Sequence, residues 1–286
     1  MLSAGLGIRP LNDREFKLFQ ALIHKEAGIY LSEVKKALLV GRLSRRVREL
    51  GLDSFEAYYR HVVDGANPAE RVELINNICT HETQFFREPR QFEFLEQTLA
   101  LEWRAAAEAG TRPKRIRAWS AACSSGEEPV SLAMSLLHHF PASAGWTVEV
   151  LATDISTRVL DRARAALWPI ERATQIPPQY LKRFMLRGTG EQQNKMKAGP
   201  EIRATIQFQQ LNLQADSYAV GDGFDLIFCR NVLIYFNAAT KEHVVSRLLG
   251  RLAPDGLLFL GHAESVTGMR EQPRTVIPTV YSRTLR

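Results

Sequence analysis

Over the first 90 residues the apolar positions recur at spacings of three and four, the signature of helices with one buried face. Phe16, Phe19, Leu22 and Ile23 share such a face, in a helix that Asn12 or Asp13 can cap and that breaks at Gly28. A second helix is predicted from Ser32 through EVKKALLVGRLSRRVREL, ended by Gly51, and a third from Ser54 to Val63. After the turn DGANP a fourth covers AERVELINNI. Strand-type alternation is missing here, so residues 1–90 read as an α-helical N-terminal domain. Residues 91–110 continue as a connecting helix.

From Lys114 the pattern changes. RIRAWSA reads as a strand, GEEPVSLAMSLLHHF as a helix, TVEVLATD as a strand and STRVLDRARAAL as a helix. Then come strands in ATIQFQQLNL and FDLIFCRNVLIYF, a helix over KEHVVSRLLGRL, the turn APDG, the strand LLFLGH and a final strand TVYSRTL. Short apolar strands alternating with helices predict parallel βαβ units and a sheet covered on both faces, over residues 111–286. The stretch 169–204, rich in Pro, Gly and polar residues, breaks the alternation and is too long for a plain loop. An inserted β-rich subdomain is expected there, with short strands around RFMLR and EIRATIQF.

Composition narrows the function classes. Hydrophobic residues make up 45% and charged residues 24%, as in an ordinary soluble globular protein. Apolar runs stay at core-strand length, and the start lacks a basic stretch followed by an apolar one, so neither a membrane span nor a secretory leader is expected. Cys79, Cys123 and Cys229 are odd in number and lack metal-ligand spacing, which predicts free thiols in a reducing, cytoplasmic setting. The seven histidines show no ligand spacing either, and no metal is expected. A formal charge of +6 points to an acidic partner.

The chemistry-bearing residues fall at predicted strand ends. The first strand runs into Ala121-Ala122-Cys123-Ser124-Ser125-Gly126-Glu127-Glu128, a turn of small residues that lets a ligand approach the backbone and a helix N-terminus. Two adjacent carboxylates there would repel a pyrophosphate but suit a ligand carrying an ammonium and a sulfonium. The second strand ends at Asp154, where an acidic residue accepts hydrogen bonds from ribose hydroxyls or caps the next helix. Asn212 and the pair Arg230-Asn231 lie on the same carboxyl edge, where buried polar groups require partners.

Five segments in order, THETQFFRE, WSAACSSGEEPVSLAM, ATDIS, FDLIFCRNVLIYF and LAPDGLLFLGHAES, resemble the successive signatures of the chemotaxis receptor methyltransferase (CheR) family. The likeness extends from about residue 12 to the C-terminus. It implies a class I methyltransferase (Rossmann-like), mainly parallel sheet behind a small all-α N-terminal domain, S-adenosyl-L-methionine as methyl donor, and glutamates of the receptor cytoplasmic domain as acceptors. Carried over, it assigns Thr83 and Arg87 to the cofactor site, Glu127 or Glu128 to the amino-acid end of the cofactor, and Asp154 to its ribose. Asn212 and Leu213 fall to the adenine, Arg230 and Asn231 to the fourth-strand contacts. Tyr235 falls near the transferred methyl. His81 stands where many relatives carry Asn, so any cofactor contact it makes must differ. A glutamate carboxylate, with a pKa of about 4.3, is already ionised at neutral pH and needs no general base. Arg87 is expected to hold that carboxylate through its guanidinium fork and Tyr235 to orient it, which makes these two the catalytic residues. In relatives such an insert recognises a short peptide at the receptor C-terminus, which the resemblance implies as one reading here, with the RGTG turn leaving a strand edge for it; a lid or a spacer is the other.

On a helical wheel Lys35, Arg42 and Arg46 fall within about 40° of one another, beside Leu39, Leu43 and Val47. This predicts either a solvated face or a docking stripe for an acidic substrate helix. A nucleic-acid methyltransferase is the alternative that the basic charge allows. Against it, the chain lacks an Asn-Pro-Pro-Tyr-type element and an aromatic stacking cluster beside the basic helix. A catalytically dead binding module is disfavoured by the intact acids at Glu127, Glu128 and Asp154.

Overall fold

The computed structural model describes residues 8–64, 68–270 and 272–283. The chain start, residues 65–67 of the predicted turn DGANP and the end of the last predicted strand lie outside the described residues.

Among the described residues, four α-helices form the N-terminal domain. Asn12 caps α1 (Asp13–Ala27) by accepting from the Glu15 N–H (2.9 Å), while the Glu15 carboxylate accepts from the Asn12 N–H (2.8 Å). Gly28, at φ +71°, ends it. The second helix, α2 (Lys36–Glu49), starts later than Ser32 predicts, because Glu33–Lys35 forms a 3₁₀ turn. Ser54 caps α3 (Phe55–Val63), and α4 (Pro68–Ile78) completes the set. Their faces bury Phe16, Phe19, Ile23, Leu43, Tyr58 and Leu74 in one core. The connector is α5 (Pro89–Phe94), a π-turn (Leu95–Leu99) and α6 (Ala100–Glu108).

The α/β part follows as β1 (Arg115–Ala121), α7 (Glu127–His139), β2 (Thr147–Asp154) and α8 (Thr157–Ala165). The insertion is β3 (Leu167–Pro169), α9 (Pro178–Phe184), β4 (Met185–Arg187) and β5 (Lys195–Ala198). Its strands pair antiparallel in the order β3-β5-β4. The segment EIRATIQF is not one strand: Pro200 starts a helix, α10 (Pro200–Thr205), which feeds β6 (Ile206–Gln210). Next come β7 (Phe224–Cys229), α11 (Ala238–Arg251) and β8 (Leu252–Leu260). The APDG segment is not a turn ahead of β8 but an irregularity within it, since Phe224 pairs with Leu252 and Leu226 with Leu257. The C-terminal strand is a hairpin of β9 (Arg274–Ile277) and β10 (Val280–Ser282).

The main sheet has the order β6-β2-β1-β7-β8-β10-β9. The first five of these are parallel, and β10 is antiparallel to both neighbours. Because side chains alternate across a strand, Ile116, Ala118, Leu226 and Phe228 pack on one face and Trp119, Ala121, Ile227 and Cys229 on the other. Two covered faces explain why consecutive residues, 118–121 in β1 and 226–229 in β7, are all buried. The chain leaves β1 toward β2 on one side and pairs it with β7 on the other, so a crevice opens above their carboxyl ends.

Candidate active site

That crevice is a cleft of about 1130 Å³ including its mouth. The strand ends form its floor; Ile29, Leu31 and Lys35 of the N-terminal domain, with the segment after α4, close it from above.

The turn after β1 is hooked tightly. The Ala122 and Cys123 N–H groups both donate to the Thr153 carbonyl (2.8 Å each), drawing the turn over the end of β2. Ala122 (φ +71°) and Ser124 (φ +50°) adopt the left-handed region, strain that clusters at sites whose geometry must be fixed. Gly126 is required: at φ +95° an added Cβ would sit 3.0 Å from the Ala163 Cβ and 3.1 Å from its Cα. The Asp154 carboxylate accepts from the Ser124 N–H and the Ser156 N–H (2.9 Å each), which orients it into the cleft. Burial pushes its pKa up, opposed by these amide hydrogen bonds.

The two acids after the turn diverge. Glu128 lines the cleft, accepting from Ser120 Oγ (2.7 Å) and from Arg230 Nε (2.7 Å). Glu127 is buried away from it, accepting from Ser125 Oγ (2.7 Å) and lying 3.5 Å from Arg172 of the insertion. Arg230 lines the cleft but spends its donors internally, on Glu128, the Arg87 carbonyl (2.6 Å) and Gln91 Oε1 (3.1 Å).

Asn212 and Leu213 line the adjacent wall. Asn212 Nδ2 donates to the Glu26 carbonyl of α1 (2.8 Å), so it also fastens the helical domain to the sheet. Asn231, at φ +60°, is shaped by a residue that sequence reasoning missed. Glu264 is buried and accepts from the N–H groups of Gly261 (2.6 Å), Leu233 (2.7 Å) and Asn231 (2.9 Å). Its only sequence signal is a carboxylate just past the apolar strand LLFLGH.

His81, Thr83 and Arg87 reach the cleft from the segment after α4, and Tyr235 from the 3₁₀ turn Leu233–Tyr235. The His81 Nε2 is buried without a hydrogen-bond partner among the described residues. Burial, with the nearby Arg158 and Arg42, pulls its pKa down to about 4, so the ring is neutral. Burial likewise raises the Cys79 thiol to about 12 and Cys123 well above its ordinary value, leaving these wall residues as thiols.

The docking stripe does not exist as drawn on the helical wheel. Arg42 Nη1 donates to the carbonyls of Asn77 (3.3 Å), Ile78 (3.2 Å) and Cys79 (2.5 Å), and Nη2 to Thr80 Oγ1 (2.9 Å), capping α4. Arg46 makes a two-point contact with the buried Glu70 (2.9 and 2.5 Å). Lys35 precedes α2 and lines the cleft, its Nζ 5.9 Å from the Tyr235 ring centroid. Sequence spacing placed the three on one face; the packing of α4 divided them.

The donor set fits a nucleoside bearing a cationic tail. A fixed carboxylate at the tip of β2 suits hydroxyls, and a second acid at the start of α7 suits an ammonium. The small-residue turn leaves space, and the unpartnered His81 nitrogen awaits a polar group. This sheet order with this acidic crevice defines a class I S-adenosylmethionine-dependent methyltransferase. Residues 81–281 match the family described as CheR methyltransferase, SAM binding domain, and residues 14–79 its all-alpha domain. The chain is 38% identical over 268 residues to chemotaxis protein methyltransferase 2 of Pseudomonas aeruginosa, covering 94% of this chain and 92% of that one. It is 37% identical over 273 residues to the chemotaxis protein methyltransferase of Escherichia coli, covering 95% and 91%. The chain belongs to the CheR methyltransferase family.

Proposed function

We propose that this enzyme esterifies glutamate side chains on the cytoplasmic helices of chemotaxis receptors, working in the cytoplasm. The observation that carries this reading is a pair of cations at the cleft. Lys35 and Arg87 both line it, and neither is paired with a carboxylate among the described residues. An acidic acceptor would compensate them. When bound, S-adenosylmethionine supplies an electrophilic methyl group on sulfur. Arg87 then holds one acceptor oxygen, Tyr235 orients the group, and the apolar wall of Ile29, Leu31 and Leu38 excludes water. Asp154 takes the ribose hydroxyls and Glu128 the ammonium. Thr83, Asn212, Leu213 and Asn231 complete the cofactor walls, with neutral His81 offering its free nitrogen.

The insertion supports a second contact. Leu167 and Leu186 are exposed on its small sheet beside Arg187-Gly188-Thr189, a surface suited to a receptor C-terminal peptide. The nucleic-acid alternative is not favoured, since family and relatives point to chemotaxis protein methylation.

Transfer of labelled methyl from S-adenosylmethionine to receptor cytoplasmic fragments tests the reading, with DNA and RNA in parallel. Base-labile label in the receptor fragments, removed by replacing the acceptor glutamates with alanine, is the expected result. Label in nucleic acid and none in protein would overturn it.

A further inference from the structure

Val34 is 88% exposed, Tyr30 53%, Ile234 47% and Leu38 43%. These are four of the eight large apolar side chains exposed among the described residues, and each is a cleft-lining residue or the chain neighbour of one: Tyr30 lies between Ile29 and Leu31, Val34 precedes Lys35, and Ile234 precedes Tyr235. Leu38 lines it directly, beside Lys35. Val34 and Leu38 stand one helical turn apart across the junction of the 3₁₀ turn and α2, with Lys35 between them in sequence. Tyr30 is pinned to the opposite domain, its N–H donating to the Tyr235 carbonyl (2.7 Å), and Ile29 bridges Phe236. Ile234 immediately precedes Tyr235. Single exposed apolar residues are ordinary; a cluster from two domains at the mouth of a catalytic cleft marks a docking surface.

We propose that this apolar rim seats an amphipathic helix of the substrate protein and selects acceptor glutamates that have apolar residues one helical turn away. The proposal rests on the reading of the enzyme as a protein-glutamate methyltransferase and adds the feature that distinguishes one glutamate from another. Charge complementarity fixes the occupant. The unpaired Lys35 and Arg87 call for a carboxylate in the cleft, while the exposed Val34, Tyr30 and Ile234 beside the cleft walls call for apolar contact. On a helix, residues three and four positions from the acceptor share its face, so a carboxylate entering the cleft brings those neighbours against Val34, Tyr30 and Ile234. A uniformly acidic helix would leave the rim unfilled. Arg42 and Arg46 cannot take its charges either, since both are committed to partners inside the N-terminal domain.

The test combines Val34→Ser, Tyr30→Ser and Ile234→Asn in the full chain, with methylation of receptor cytoplasmic fragments as readout. The exposed positions leave folding and S-adenosylhomocysteine affinity unchanged, while KM for the fragment rises by about tenfold or more with kcat little altered. Replacing an apolar residue one turn from the acceptor by Asp raises KM for the wild type but adds nothing for the triple variant, as expected of directly contacting groups. Equal KM values and equal responses to that substitution in wild type and variant would overturn the rim while leaving the receptor reading standing. A wild-type enzyme that methylates no receptor fragment would overturn both.

Discussion

Arg230 and Glu128 are joined at 2.7 Å through Nε and Oε2 in the buried floor of the cleft. The same guanidinium holds the Arg87 carbonyl and Gln91, so one side chain sets both the acid lining the cleft and the segment carrying Arg87. Arg230→Ala would strand a buried carboxylate at a cost of about 3–5 kcal/mol. Calorimetric unfolding should register that loss, and S-adenosylhomocysteine affinity should fall with it. A variant as stable as wild type would show that the pair is dispensable.

Asp154→Ala should weaken S-adenosylhomocysteine binding by about 1–3 kcal/mol, the worth of charge-assisted hydrogen bonds, in titration calorimetry. Because burial raises the Asp154 pKa, acidification protonates it earlier than an exposed aspartate. Affinity should therefore decline as pH falls, and the decline should lose this component in Asp154→Ala. Identical affinities for the folded variant and wild type would exclude Asp154 from the site.

For Arg87, the conservative change is informative. Arg87→Lys keeps the charge but not the fork, so kcat should drop roughly 10²-fold with cofactor affinity little changed. Near-normal turnover would limit Arg87 to a wall residue.

Arg42 and Arg46 should separate cleanly. Arg42 braces the residues leading into His81 and Thr83, so Arg42→Ala should weaken S-adenosylhomocysteine binding without raising KM for the receptor selectively. Arg46→Ala leaves Glu70 buried beside Tyr58 and should destabilise the helical domain by about 3 kcal/mol. Burial alone would raise the Glu70 pKa, but hydrogen bonds from Arg46 and Tyr58 hold it below its ordinary value. A depressed carboxyl pKa contributes stability that is present above the unfolded value and lost as pH falls through the folded one. Wild type should thus lose stability on acidification faster than Arg46→Ala. Parallel pH profiles would contradict this pairing.

Local grammar carried most of the fold. The cap at Asn12, the stop at Gly28 and the ends of β1 and β2 follow from side-chain chemistry within a few residues, and the apolar run at residues 226–229 of β7 from burial on two faces. What depended on distant partners was illegible. The wheel put Arg42 and Arg46 on one face with Lys35, but it could not show that the carbonyls ending α4 and the carboxylate of Glu70 lay waiting for them. Glu264 was invisible as a site organiser because its partners are backbone amides, which no side-chain pattern records. The adjacent acids Glu127 and Glu128 became distinguishable only once Arg172 of the insertion and Arg230, just past β7, had drawn them apart.

Neither the helical domain nor the sheet owns the cleft: Ile29 and Leu31 face Asp154 and Leu213 across it, and the Asn212 bond to Glu26 and the Ser156 bond to Asn76 (2.6 Å) stitch the two sides together. The ligand is therefore also a bolt. Any molecule that fills the whole cleft binds only the docked arrangement, and at a concentration of 100 Kd it would hold that arrangement by about 2.7 kcal/mol. The methyl donor should then do more than supply a methyl group: saturating S-adenosylhomocysteine is expected to slow limited proteolysis of the segment joining the two halves, compared with the ligand-free chain.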